Sequence, residues 1–143
     1  MPKSLSLNKS GISILEAILA IAVLAMAILG IIQIFPLALK MSRIAEQTTV
    51  AANLAQAQAE TIYSLDYNGI NTGIIEARHR LASDPANPFY KYERQTTVNY
   101  VDGNLNNSAI DVGLKKISIT IYWLSPYLGK EITFPLIFLI SEK

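Results

Sequence analysis

The sequence predicts an α+β fold in which one long N-terminal helix precedes an antiparallel β-sheet. Three observations support this prediction. An almost uninterrupted apolar run covers residues 12–39, and small residues at helical spacing continue from 40 to about 63. Three later segments, beginning at residue 90, alternate apolar with polar residues as half-buried strands do. A helix followed by a run of strands is the element order of an α+β protein.

Composition divides the chain into three parts. Of the 143 residues, 51% are hydrophobic and only 16% are charged, and the apolar excess is concentrated in residues 12–39. A short basic leader (1–11) comes before this segment, and a part of ordinary polarity (40–143) follows it. The chain has no cysteine and a net charge of +1. Disulfides and thiolate metal sites are therefore excluded, and bulk electrostatics give no support for nucleic-acid binding.

The apolar segment is long enough to cross a bilayer. As a helix, residues 12–39 would extend roughly 40 Å at 1.5 Å per residue. Lys3 and Lys9 precede it without any acid. By the positive-inside rule this end stays in the cytoplasm, and residues 40–143 are delivered across the membrane as a head outside the cytoplasm.

Three simpler interpretations of this segment each leave its length, its apolar character or Glu16 unexplained. A buried core helix is not expected, because the run is long as well as apolar around its whole circumference. A secretory signal peptide could be cut near "AMA" (Ala25–Ala27), but its apolar region should be shorter than this one. A plain single-pass anchor fits the length and the charges, but it gives no role to Glu16. A carboxylate in a bilayer costs about 2.5–3.5 kcal/mol and calls for a partner or a function.

The stretch "KSGISILE" (residues 9–16) resembles the class III signal of type IV prepilins and the related pseudopilins. A basic leader ends at Gly11, the apolar run begins at Ile12, and Glu16 is the fifth residue after the glycine. The resemblance implies a pilin fold, cleavage between Gly11 and Ile12 by a prepilin peptidase, and methylation of the new amino terminus at Ile12. It also implies that the apolar helix is kept and that subunits assemble through it. Ile12 departs from the phenylalanine or methionine that is commoner in the family.

The same resemblance gives Glu16 a role in subunit assembly. Cleavage would create a cationic amine at Ile12, and Glu16 of one subunit could pair with that amine of a neighbour. Pairing offsets much of the cost of burying each charge, whereas removing one partner leaves the other unpaired. The implied partners are the peptidase, other pilin or pseudopilin subunits, the inner-membrane assembly platform and the lipid bilayer. No cofactor is implied, and nucleic acid is not an expected partner.

Other functions are compatible with these residues. The head could bind a ligand, as in a DNA-uptake or adhesion subunit, or the chain could be an unprocessed single-pass anchored domain. "ANLAQAQAETIYSLDY" (residues 52–67) also resembles the end of the helix in minor pilins and minor pseudopilins. No phosphate loop, nucleophile motif or paired histidines are present, so we expect no enzyme.

The helix beyond residue 40 is predicted to be amphipathic. Its buried stripe is formed mostly of small residues, namely Ile44, Thr48, Ala51, Ala55, Ala59 and Ile62. Four polar residues are predicted to face water: Glu46, Gln47, Gln56 and Glu60. Gly30 and Pro36 predict a kink near the membrane exit. The family resemblance offers the alternative that the helix loosens around the proline during assembly.

The rest of the head is predicted to be loop and sheet. Residues 66–88 read as mainly loop, with a short helix from about 72 to 82 and a solvated His79. In the second alternating segment, Ile117, Ile119, Ile121 and Trp123 share one face. In the third, one face carries Ile132, Phe134, Leu136, Phe138 and Ile140, and Pro135 indicates an edge position or a bulge. Asp102, Asn104 and Asn106 are spaced like the start of a calcium loop but lack its later glycine and glutamate, so a solvated turn is predicted.

Overall fold

The computed structural model describes residues 13–142 and confirms the α+β class. Helix α1 (Ile14–Tyr63) is followed by a 3₁₀ turn (Tyr67–Gly69) and five strands. The strands are β1 (Gly73–Arg80), β2 (Tyr92–Val101), β3 (Asn107–Ser108), β4 (Leu114–Ser125) and β5 (Lys130–Ser141). They form one antiparallel sheet in the order β1-β2-β4-β5, and the short β3 pairs with β2. The chain divides into two compact units, of which the second, Ser42–Lys143, makes up nearly all of the head.

The core of the head lies between the outer part of α1 and one face of the sheet. Ala51 and Ala55 are fully buried, and Ala59 and Ile62 are nearly so, which confirms these four residues of the predicted stripe. The other two, Ile44 and Thr48, are only half-buried. Small side chains leave room for the large ones that β4 presents to the same core. Those are the predicted set, Ile117, Ile119, Ile121 and Trp123, all buried. Alternation on β4 therefore divides the strand into a core face and a solvent face.

Strand β5 is confirmed as an edge of the sheet. It pairs only with β4 along the path β1-β2-β4-β5, and Pro135 lies opposite Thr120. An edge strand tolerates proline because one side of its backbone has no ladder partner. The predicted apolar face of β5 packs against the core, although its residues are only half-buried because no strand covers them on the outer side.

The predicted short helix over 72–82 is wrong, because Gly73–Arg80 forms strand β1. The strand pairs antiparallel with β2, and its register shifts twice, between Ile74 and Glu76 and between Glu76 and His79. Pairing with β2 gives these backbone groups hydrogen-bond partners that are distant in sequence, so local composition did not reveal the strand. Gly73 starts it with φ of +100°, a conformation that glycine adopts readily.

Candidate functional site

The first half of α1 is an apolar surface that the described chain leaves uncovered. Every residue from Ser13 to Leu39 is exposed. The exposed fraction of the large apolar side chains here ranges from 48% at Ile28 to 81% at Ile14. The helix is long and apolar enough to cross a membrane by length and composition alone, a test that a signal sequence near the N-terminus also passes. Unlike a buried core helix, it needs an apolar environment from outside the chain.

Glu16 lies in the first turn of α1, where the helix dipole favours a negative charge. It is exposed, and it forms no ion pair with any other residue between 13 and 142. A shallow groove runs from it along one helix face, at spacings of three and four residues. Apart from Glu16, all the side chains that line this groove are apolar: Leu19, Ala20, Val23, Leu24 and Ala27. The acid therefore lies at one end of an apolar strip.

The other predicted processing residues, Gly11 and Ile12, lie outside the described residues. The predicted cleavage, the methylation of Ile12 and its pairing with Glu16 therefore stay predictions. The helix continues through both Gly30 and Pro36. A side chain at Gly30 would meet no atom of the described chain within 4 Å, so the fold itself does not require glycine there.

Gln47 joins helix α1 to the sheet through hydrogen bonds, and the prediction that it faces water is wrong. Its Oε1 accepts a hydrogen bond from Trp123 Nε1 at 3.2 Å, and its backbone carbonyl accepts one from the Tyr92 hydroxyl, also at 3.2 Å. Both aromatic residues are buried, and buried N–H and O–H groups need acceptors. The spacing contained the signal, because Gln47 is four residues before Ala51 and so continues the stripe.

A half-buried ion pair ties the edge strand β1 to β2. Arg94 donates to both carboxylate oxygens of Glu76, at 2.7–3.0 Å, and the Thr96 hydroxyl donates to Glu76 Oε2 at 2.6 Å. Burial by itself would raise the pKa of Glu76, but the hydrogen bonds from Arg94 and Thr96 outweigh it and hold the pKa below its ordinary value. The pair therefore favours the charged form of Glu76 in the folded head.

On the solvent face of the sheet, Arg78 connects strands β1, β2 and β5 above β4. Its Nε donates to Glu93 at 2.6 Å, its Nη2 donates to Glu131 at 2.5 Å, and the guanidinium lies 4.1 Å from the centre of the Tyr122 ring. The bond from Arg78 also holds the pKa of Glu93 below its ordinary value. Arg80 lies 3.5 Å from the same Glu93 carboxylate. Both arginines on this surface thus have a carboxylate as a partner.

His79 is exposed, as predicted. Its Nδ1 lies 3.0 Å from the Ala77 carbonyl oxygen, a contact within its own strand.

Asp102 stabilises the turn between β2 and β3. Its Oδ1 accepts hydrogen bonds from the backbone N–H groups of Asn104 and Asn106, both at 2.9 Å. Within residues 13–142 no group of three His, Cys, Asp or Glu side chains could hold a metal ion.

Together these features describe an α+β protein with an N-terminal helix able to span a membrane and a head of one antiparallel sheet. No protein-family model matches the chain, and no curated protein or solved structure matches it either.

Proposed function

We propose that this chain is a structural subunit, of the minor pilin or minor pseudopilin kind, of a type IV pilus or of a type II secretion-like pseudopilus. A prepilin peptidase cuts it after Gly11, and it assembles through its N-terminal helix. The observation that carries the proposal is Glu16, an acid in the first turn of an otherwise apolar and exposed helical surface. Such a surface is stable in lipid before assembly and against the helices of neighbouring subunits afterwards.

The mechanism follows from the energetics of that acid. A lone carboxylate is unfavourable among apolar groups, and so is a lone amine. A neighbouring subunit that brings its Ile12 amine to Glu16 satisfies both charges at once. Subunits displaced along the helix axis would lose this pairing, so the pair specifies how far one helix is shifted past the next. Glu16 thus acts as a determinant of register and takes no part in catalysis.

The mature N-terminus tests the processing step. The protein is isolated from the membranes of cells that contain the peptidase, and its N-terminal peptide is analysed by mass spectrometry. A methylated Ile12 is the expected result. An intact Met1 would contradict the proposal and would favour an anchored domain that forms no fibre.

Substitution of Glu16 tests the assembly step separately. Glu16→Ala should still be cleaved, but its amount in the sheared fibre fraction should fall at least about tenfold, since a loss of only 1.4 kcal/mol corresponds to that factor. Gln33→Ala is the matched control, because it removes a polar side chain from the same exposed segment without removing a charge. Equal incorporation of the two variants would eliminate the pairing mechanism.

A further inference from the structure

The head contains a buried lysine that the proposed function does not use. Lys115 is only 3% exposed, whereas its neighbour Lys116 points to the opposite face of β4 and is partly exposed. Lysine is almost never fully buried unless its charge is paired, because removing an ammonium group from water is costly. The surroundings of Lys115 must therefore compensate for that cost.

Two backbone carbonyls provide most of this compensation. The Lys115 Nζ donates to the carbonyl oxygen of Tyr67 at 2.7 Å and to that of Ile70 at 2.8 Å. These carbonyls lie at the two ends of the 3₁₀ turn that connects α1 to β1. The ammonium also lies 4.0 Å from the centre of the Tyr67 ring, close enough for a cation–π interaction.

A carboxylate completes the arrangement from the loop between β3 and β4. The Tyr67 hydroxyl donates to Asp111 Oδ1 at 2.5 Å, and the Gly113 N–H donates to the same oxygen at 2.9 Å. The bond from Tyr67 lowers the pKa of Asp111, and the nearby charge of Lys115 lowers it further. The positive charge thus has two carbonyl oxygens, an aromatic face and a nearby anion around it. Carbonyl and carboxylate oxygens are also the groups with which proteins bind hard metal cations.

We propose that the Lys115 ammonium is a built-in cation that does in this head what a bound metal ion does elsewhere, closing the turn after α1 onto strand β4. The order of that turn then depends on a positive charge at this point and not only on the packing of the lysine stem. The inference concerns the head alone and holds whether or not the chain assembles into a fibre.

The first test compares Lys115→Ala with Lys116→Ala in the full chain in detergent micelles. Lys115→Ala leaves two buried carbonyls without their charged donor, so we expect Tm to fall by about 10 °C or more. Hydrogen exchange at residues 67–70 should become at least about tenfold faster, since 1.4 kcal/mol of lost protection gives that factor. Lys116→Ala should change Tm by less than about 3 °C. Equal effects of the two substitutions would overturn the proposal.

The second test separates the charge from the stem. Lys115→Met keeps an unbranched side chain of similar length but has no charge, so it should lose protection at residues 67–70 much as Lys115→Ala does. Propylammonium chloride supplies the missing part of the side chain to Lys115→Ala and should slow this exchange again, whereas 1-propanol at the same concentration should not. Two results would refute the proposal that the charge of Lys115 orders the turn. One is wild-type protection from hydrogen exchange at residues 67–70 in Lys115→Met, and the other is equal slowing of this exchange by propylammonium and by propanol. If Lys115→Ala does not fold, Lys115→Met still tests whether the turn depends on the charge.

Discussion

Replacing Gln47 by leucine tests whether the hydrogen bond between helix α1 and the sheet stabilises the head. Leucine keeps most of the side-chain volume but removes the Oε1 atom, which accepts from Trp123 Nε1 at 3.2 Å. Gln47 is 8% exposed and Trp123 only 2%, so water has little access to the indole N–H. Leaving a buried donor unsatisfied costs about 1–3 kcal/mol. For a head of this size that corresponds to a fall in Tm of roughly 5–20 °C.

The chain provides its own probe for this measurement. Trp123 is its single tryptophan, so the fluorescence of that residue reports unfolding of the head in the full chain in detergent. Gln56→Leu is the matched control, because Gln56 lies on the same helix but faces solvent, and its replacement should change stability by less than about 0.5 kcal/mol.

A double-mutant cycle then isolates the bond itself. Trp123→Phe removes the N–H donor, so Gln47→Leu should cost less in that background, by about 1 kcal/mol or more, with unfolding followed by circular dichroism. Two results would refute the reasoning. One is a Gln47→Leu variant as stable as Gln56→Leu, and the other is the same cost of Gln47→Leu with and without the indole.

Two further predictions concern the ion pair on β1 and the small-residue stripe. Glu76→Gln should lower the free energy of unfolding by about 1–3 kcal/mol at pH 7, because it takes the charged partner from the half-buried Arg94. Since the folded pKa of Glu76 lies below the ordinary 4.5, its contribution is present above that pH and is lost as pH falls through the folded pKa. Urea unfolding from pH 7 downwards should show the wild type and the variant converging in acid. Glu46→Gln, in an exposed pair, is the control, and a Glu76 effect independent of pH would contradict the linkage. Ala55→Leu should destabilise the head by about 1–3 kcal/mol in thermal unfolding, because Ala55 is fully buried in the core and a larger side chain would overpack it. The exposed Ala57→Leu should have little effect, and equal Tm values for the two variants would show that the helix is not packed closely on the sheet.

Residue spacing was enough to predict the elements that use one repeating pattern. The alanine stripe of α1 and the alternating isoleucines of β4 are confirmed because each pattern records which face is buried. Pro135 predicted an edge or a bulge, and its strand is an edge, because the missing N–H limits where the residue can pair.

Features that depend on distant partners were not predictable in the same way. Strand β1 was interpreted as a helix because its stability comes from pairing with β2, not from its own composition. Gln47 was predicted to face water, although its spacing continues the stripe, because the sequence does not show that Trp123 satisfies its side chain. Nor does the sequence show the carbonyl oxygens that accept from the buried Lys115. Such compensation is invisible until the elements are brought together.

The sequence by itself determined a long apolar helix with an acid near its start, followed by a sheet-forming head, because periodicity and charge placement are local properties of the chain. It also supports the prediction of cleavage after Gly11 and of pairing at Glu16, and the proposed experiments address those steps directly. The tertiary structure decided which polar groups are buried in the head and what satisfies them. The sequence alone could not show this, because the free energy of a buried polar group depends on its hydrogen-bond partner. The partners of Lys115 and Trp123 are more than 40 positions away in the sequence.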